Sequence, residues 1–352
     1  MKRKAKTLAE SAADFVASES PDVKLLLREN QALKAKLLKG QGLEDAIVAA
    51  VQAVLEDPAP IPESPEIRSG HGGEETAVLH VSDTQIGKRT SSFDHVVAAA
   101  RLMDLGRKTV EITTMRRSAA KIESVHVLLG GDMVEHESLF GSQPHHISIP
   151  LIDQATNHGP AMIEAMLRLL LEHFAKVHVV GVVGNHGRSG PAKGPQAEVT
   201  NWDRVLYRVL KSRMGESERL SWDIPDTWYA VDRIYDWGNL VVHGDQIRGG
   251  FAGFPWYGTA KRAWGWIDSI PRAWDYLWFG HFHTYASAVL NYRTFLANGT
   301  LESDNTYAQE QLSAAGWPCQ RLAFFNARHG LIADHQVFLG DRKPALKRGG
   351  RR

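Results

Sequence analysis

Leu128-Leu129-Gly130-Gly131-Asp132 is the segment from which the architecture can be read. Val125 to Leu129 reads as a buried strand, and two glycines follow where the backbone has to turn with no Cβ in the way. Asp132 is thereby delivered beyond the carboxyl end of a strand, the edge at which open α/β sheets place their chemistry. Four other stretches repeat this pattern of apolar strand, tight turn and metal-capable side chain. They are His80-Val81-Ser82-Asp83-Thr84-Gln85, Gly184-Asn185-His186, Val242-His243-Gly244-Asp245 and Gly280-His281-Phe282-His283. One Asp at one strand end carries little information; five such stretches in one chain point to a metal site.

Helical and extended patterns alternate outward from this frame. Val96, Ala100, Met103 and Val110 share a helical face, which predicts a long helix from Phe93 to about Arg117. Ile163, Leu167, Leu170 and Phe174 mark a second helix, and Trp202, Val205, Leu206 and Val209 a third. Strands are expected at Ala77–Val81 and Val177–Val183, around Tyr229, and at Leu240–His243, Asp275–Phe279, Tyr285–Leu290, Thr294–Ala297, Leu322–Phe325 and Gln336–Leu339. Helices first and mostly strands later imply a mixed α/β domain rather than a simple doubly wound sheet.

The 352 residues suffice for one large domain with a smaller appendage. Residues 1–56 read as a helical segment, in which Leu26, Asn30, Leu33 and Leu37 form a short coiled-coil seam. Two readings of that seam stay open: a homodimer through this helix, and a solvated or loosely docked helix. Residues 57–75 are rich in proline and then glycine, and read as a linker. The main domain is expected over 76–341, and a basic tail over 342–352. A net charge of +1 gives no overall attraction to nucleic acid, so any such partner must be held by local patches. The single cysteine, Cys319, excludes an intrachain disulfide and a Cys-rich zinc site. No apolar run reaches the roughly 18–20 residues that span a bilayer, and the expectation is a cytoplasmic chain with no membrane partner.

Asp, Asn and His without Cys make a mixed oxygen and nitrogen donor set, suited to manganese, iron or zinc and less well to magnesium. A carboxylate shared by two such cations sets the roughly 3.5–4 Å spacing of two-metal phosphoryl-transfer sites. Asp83-Thr84-Gln85, Gly131-Asp132-Met133-Val134-Glu135, Gly184-Asn185-His186, His243-Gly244-Asp245 and Gly280-His281-Phe282-His283 occur in the order of the calcineurin-like metallophosphoesterase motifs. The chain resembles that superfamily over about residues 76–300, and to 340 with the closing strands. The resemblance implies an α/β fold in which a β-sandwich is flanked by helices (αββα), with the N-terminal helical segment as an appendage. It implies two divalent metal ions, with Mn(2+) favoured and Mg, Fe or Zn as alternatives. Asp83, Asp132 and His283 would bind the first, with Gln85 in a position usually held by histidine. Asp132 would bridge to the second, completed by Asn185, His243 and His281. A hydroxide between the metals would attack phosphorus, His186 would protonate the leaving oxygen, and Gly131 and Gly280 would provide turns.

Two departures from the family pattern stand out. Gln85 offers at best an amide oxygen in place of a ring nitrogen, which weakens the first metal and tilts it toward harder cations. Gly187-Arg188 follows His186 where an acidic residue is usual and often orients the histidine, so that orientation loses its usual support. Arg188 reads either as a phosphate contact or as a solvated loop residue, and Arg248 is a second candidate for substrate. His80, His126 and His178 lie within apolar strands and are expected to be hydrogen-bonded structural residues. His136, His145 and His146 are candidates to line the cleft.

Trp256, Trp264, Trp266, Trp274 and Trp278 fall between Arg248 and Phe279, interleaved with Lys261, Arg262 and Arg272. They suit stacking on the bases of a single strand, or, as the plainer reading, the packing of a helical insert. The Ser82-Asp83 opening and the long motif spacing are similar to the nuclease branch, including the exonuclease subunits of double-strand-break repair. The Gln85 variant is similar to bacteriophage-encoded phosphoesterases described as DNA-repair exonucleases. The expected function is hydrolysis of phosphodiester bonds in DNA, as an exo- or endonuclease. The alternatives are a phosphomonoesterase or small-nucleotide phosphodiesterase, and a non-catalytic metal-binding scaffold.

Overall fold

The computed structural model describes residues 60–67, 70, 72–139, 143–189, 200–248, 254–304 and 316–340. The N-terminal helical segment with its seam, and the basic tail, lie outside the described residues. In chain order the elements are β1 (Glu74–Val81), α1 (His95–Arg116), β2 (Lys121–Leu129), α2 (Gly159–His173), β3 (Lys176–Gly181), α3 (Trp202–Met214) and β4 (Leu220–Asp223). Then follow β5 (Tyr229–Ile234), β6 (Trp237–Val242), α4 (Trp256–Ser269), β7 (Tyr276–Phe279), β8 (Ala286–Leu290), β9 (Arg293–Ala297), β10 (Cys319–Asn326) and β11 (Gly330–Phe338).

The strands form two sheets. One has six strands in the order β11-β10-β1-β2-β3-β4, the other five in the order β5-β6-β7-β9-β8. β1 through β4 run parallel, as do β6, β7 and β9, while the hairpins at the edges are antiparallel. Side-chain alternation explains how the sheets stack. Val78, Leu128 and Val180 of the first sheet meet Ala230, Val241, Tyr276, Trp278 and Leu296 of the second, and form the layer between them. The neighbours in sequence, Leu240, Val242, Leu277, Phe279, Phe295 and Ala297, face the other way and receive Ala263, Trp266 and Ile270 from α4 and its end. α1, α2 and α3 pack side by side, with α2 against β3. The result is helices, sheet, sheet, helix: the αββα arrangement expected from the sequence.

Capping fixes where the helices begin. Asp94 Oδ1 accepts from the Val96 and Val97 N–H groups at 2.9 Å each, so α1 starts at the predicted place. Asn201 accepts from Asp203 N at 2.8 Å and opens α3. β4 has only four residues and went unread in the sequence. Fully buried Arg321 on β10 donates to the Ala286 and Ala297 carbonyls at 2.8 Å and ties the first sheet to β8 and β9. No helix among the described residues is long and apolar enough to cross a membrane.

Candidate metal centre

The parallel strands β1, β2, β3, β6 and β7 end on one side of the sandwich, and the loops after them carry the side chains singled out in the sequence. Their backbone is strained in a telling way. Asp83, Gln85, Asp132, His281 and His283 all adopt positive φ, between 42° and 66°. Left-handed conformations are uncommon for such residues, and they persist only where surrounding contacts over-determine them. The backbone has been bent to aim these five side chains inward.

Close approach of the loops needs glycine. Gly131 has φ +83° and makes the turn expected of it. Gly280 does not turn with positive φ; a Cβ there would stand 2.2 Å from Asp83 Oδ2, so its role is clearance for the carboxylate. Gly184 is similar, since its Cβ would stand 2.2 Å from Asp132 Oδ1.

Asp132, His243 and His281 converge, one donor atom from each lying within 4.8 Å of the others. Asp132 Oδ1 accepts from His186 N at 2.6 Å, and its Oδ2 lies 3.0 Å from His243 Nε2. His243 Nδ1 is held at 2.9 Å by the Gly130 carbonyl, so Nε2 is the nitrogen presented to the carboxylate. Asn185 Oδ1 stands 3.1 Å from the same Nε2. Burial alone would lower the His243 pKa, but the Asp132 charge outweighs it and lifts the ring to about 10. Burial and the neighbouring His243 charge push His281 down to about 3, leaving it a neutral donor. Asp132 stays ionised: burial works to raise its pKa, and His243 and His186 hold it well below the usual range. A carboxylate, a neutral imidazole and an imidazole whose second nitrogen is tied to a carbonyl are the components of a divalent-cation site. A cation would take the place of the proton that His243 now holds against Asp132.

The second half of the site is built differently. Asp83 accepts from His281 N at 3.0 and 3.1 Å and from Ser82 Oγ at 2.6 Å, and lies 3.3 Å from His283 Nε2. His283 Nδ1 is paired with buried Glu302 at 2.7 Å. Burial lowers the His283 pKa, yet Glu302 and Asp83 together raise it to about 10. Gln85 sits beside it with its amide already committed. Lys88 Nζ, which can only donate, lies 2.8 Å from Gln85 Oε1, and Gln85 Nε2 therefore faces His283 Nε2 at 3.3 Å. In this arrangement the Gln85 oxygen is turned toward Lys88, and its amide nitrogen, a donor, can bond His283 Nε2 only when that nitrogen has given up its proton. Lys88 also reaches Glu302 at 2.5 Å; burial lowers its pKa, but Glu302 and Glu135 more than restore it, so a fixed positive charge adjoins this half.

His186 has the orienting acid that its own loop lacks. Glu135, from the loop after β2, lies 2.9 Å from His186 Nδ1 and is itself held by Gln143 Nε2 at 2.6 Å. Burial would lower the His186 pKa, but Glu135 and Asp132 raise it to about 9. Arg188 is 8% exposed, with Nη2 3.6 Å from Asp245 Oδ2. Arg248 is exposed, and its carbonyl lies against Gly258 of α4. His136 is half-buried and accepts from Ser138 N, while His145 and His146 occupy a short helical turn near the surface.

Several organising residues had no signal in the sequence. Asp203, fully buried in the first turn of α3, accepts from four backbone N–H groups. They are those of Asp132, Met133, Val134 and Gly184, at 2.9, 3.0, 3.2 and 2.8 Å. One carboxylate thus fixes both the Asp132 loop and the Asn185 loop. Asn298, Thr300 and Gln320 do the same for the β1 loop, Thr300 Oγ1 bonding the Asp83 carbonyl at 2.9 Å.

No protein-family model and no curated protein matches this sequence. Solved structures do resemble it at low identity. Vacuolar protein sorting 29 from Cryptosporidium parvum is 14% identical, with 75% of this chain and 99% of that one covered and a TM-score of 0.37. A novel archaeal phosphodiesterase is 12% identical, covering 74% and 99%, with a TM-score of 0.36. Yfce, a phosphoesterase from E. coli, is 11% identical over the same shares, with a TM-score of 0.33. Phosphoesterases are thus among the solved structures this chain resembles, and the chemical reading rests on its own side chains.

Proposed function

We propose that this protein is a metal-dependent phosphodiesterase of the calcineurin-like type, acting on DNA through single-stranded segments. The observation that carries the reading is the convergence of Asp132, His243 and His281 beside a histidine that Glu135 orients. Asp132, Asn185, His243 and His281 would hold one divalent cation and Asp83 and His283, with Asp132, another; Mn(2+) is the ion we favour. Such ions supply Lewis acidity to a phosphate and lower the pKa of a water enough to make it nucleophilic near pH 7.

The chain's own groups do the rest. Glu135 accepts a hydrogen bond from His186 Nδ1–H and so aims the ring, and the Nε2–H is the proton given to the leaving oxygen. A pKa of about 9 keeps that proton in place at neutral pH, and activity falls as pH rises through it. Glu135→Gln removes most of the raising charge. It is expected to lower kcat about 10–100-fold and to move the alkaline limb of the pH–rate profile from near 9 toward the ordinary imidazole value of about 6.5. An unmoved limb would mean that His186 is not the acid.

The substrate reading is supported by α4. Phe282, between the two site histidines, packs on His281 with ring centres 4.9 Å apart and on Phe254 at 5.7 Å; Phe254 packs on Trp256 at 4.4 Å. From there Trp256, Tyr257 and Trp264 lie 51%, 75% and 56% exposed, with Lys261 and Arg262 among them. The buried Trp266, Trp274 and Trp278 pack the fold, so among the described residues of this stretch only Trp256, Tyr257 and Trp264 are offered to a substrate. An exposed aromatic and cationic stripe leading away from the site suits bases and phosphates of a flexible strand. The test is a substrate panel with Mn(2+): labelled single-stranded DNA, bis-p-nitrophenyl phosphate and p-nitrophenyl phosphate. Stacking contributes about 1–3 kcal/mol per base. Trp256→Ala with Trp264→Ala is therefore expected to raise KM for DNA about 10-fold or more and to leave the small diester unaffected. Equal loss on both substrates, or cleavage of the monoester alone, would replace DNA with a small phosphoester.

A further inference from the structure

A second cluster of metal-capable side chains lies away from the loops, inside the sandwich. His126 on β2 and His178 on β3 are partners in register, and Asp232 comes from β5, the edge strand of the opposite sheet. By alternation His126 shares its face with Leu128, His178 with Val180 and Asp232 with Ala230, so all three point into the layer between the sheets. One nitrogen from each ring and one carboxylate oxygen lie within 4.8 Å of one another. His126 is three residues, about 10 Å, back along its strand from Leu129, on the amino side of the candidate centre.

Hydrogen bonding accounts for only part of this cluster. His126 Nδ1 lies 2.6 Å from Asp232 Oδ2, an ordinary close pair. His178 is different: Nδ1 is bonded to Ser221 Oγ at 2.8 Å, while Nε2 stands 3.7 Å from Asp232 Oδ1, beyond hydrogen-bond reach. Burial lowers the His178 pKa and favours the neutral ring. With Nδ1 engaged by an outer hydroxyl, Nε2 is the nitrogen turned toward the carboxylate, and that is how metal-ligating histidines are placed. Two donors on one tetrahedral zinc ion, each about 2.0–2.2 Å from it, stand roughly 3.3–3.5 Å apart, close to this spacing. Asp232 is 5% exposed, a poor place for a carboxylate unless a cation compensates it.

We infer that His126, His178 and Asp232 form a separate zinc site that clamps the two sheets together. Three protein donors leave a fourth position, which opens into a cavity of about 500 Å³ lined by Ser221, Asp223, Lys176 and Arg272 among others. Water fills that position, and the ion takes the place of the proton on the His126–Asp232 bond. The site joins β2 and β3 to β5, far from the Arg321 hydrogen bonds that tie the sheets at β8 and β9.

The experiment uses the full chain stripped of metal and reloaded with Zn(2+), with bound metal counted by mass spectrometry and stability followed by thermal melting. The wild type is compared with His126→Ala/His178→Ala, with Asp232→Asn, and with Asp132→Ala/His243→Ala. The first two variants are expected to lose one equivalent of zinc and to keep the hydrolytic activity of the wild type. The third keeps that equivalent, and its Tm still rises on adding zinc. Asp232→Asn retains the volume and the hydrogen bond to His126, so it reports on the ion even if the double histidine variant is unstable. Co(2+) in the third variant should give the strong visible bands of a low-coordinate ion. An Asp232→Asn protein that binds as much zinc as the wild type, or an Asp132→Ala/His243→Ala protein that binds none, would overturn the assignment.

Discussion

Asp132→Ala should lower the rate of phosphodiester hydrolysis by about 10³-fold or more, the loss expected when several kcal/mol of charge stabilisation is removed from a phosphoryl-transfer site. The reason is geometric. Asp132 Oδ1 organises the loop of His186 through that residue's N–H at 2.6 Å, and Oδ2 faces His243 at 3.0 Å, so one side chain serves the acid and the cation together. Removing it takes from fully buried His243 its strongest counter-charge and leaves only the weaker pull of Asp83 and Asp245, so burial drives that ring toward neutrality. Metal content should fall with activity. Retained turnover with one metal lost would mean that Asp132 is a ligand but not the bridge.

Asp203→Ala carries the largest expected cost in stability. It leaves four buried backbone donors without their acceptor, each worth about 1–3 kcal/mol. The total should exceed about 4 kcal/mol in urea denaturation, a large share of the stability of an ordinary domain. Asp203→Asn should recover part of it, since one amide oxygen still accepts while the NH₂ opposes the remaining N–H groups. A loss under about 1 kcal/mol for Asp203→Ala would show that water replaces the carboxylate.

Asp203 also marks where reading from sequence stops. Asp83, Asp132, Asn185, His243, His281 and His283 were legible because each follows an apolar strand and a tight turn, a local pattern that survives folding. Asp203 sits in the first turn of a helix, where acids are commonplace, and its partners lie 19 to 71 residues away. Glu302 and Lys88 are likewise joined only by the fold. Glu135 was within reach: it stands three residues after Asp132, in a stretch already singled out, but its pairing with His186 bridges two loops. His80 went the other way. A hydrogen-bonded role was expected, yet both ring nitrogens are buried without a partner, the ring lies edge-on to Trp278, and burial lowers its pKa to about 3. Neutral and packed like an aromatic residue, it fills the layer behind Gly130, whose Cβ would stand 2.6 Å from it.

The layers themselves were readable for a simpler reason. Period-2 alternation in β6, β7 and β9 sends Val241, Trp278 and Leu296 to one side and Val242, Phe279 and Ala297 to the other, so both faces are buried and both need a covering layer. β4 lacked the length for such a pattern to register.

The most direct test of the metal-dependent reading is to titrate Mn(2+) into metal-stripped full-length protein while following bis-p-nitrophenyl phosphate hydrolysis. The account predicts negligible rate without metal, a saturable rise as Mn(2+) is added, and no rise in Asp132→Ala. A rate independent of added metal, or a variant as active as the wild type, would contradict it.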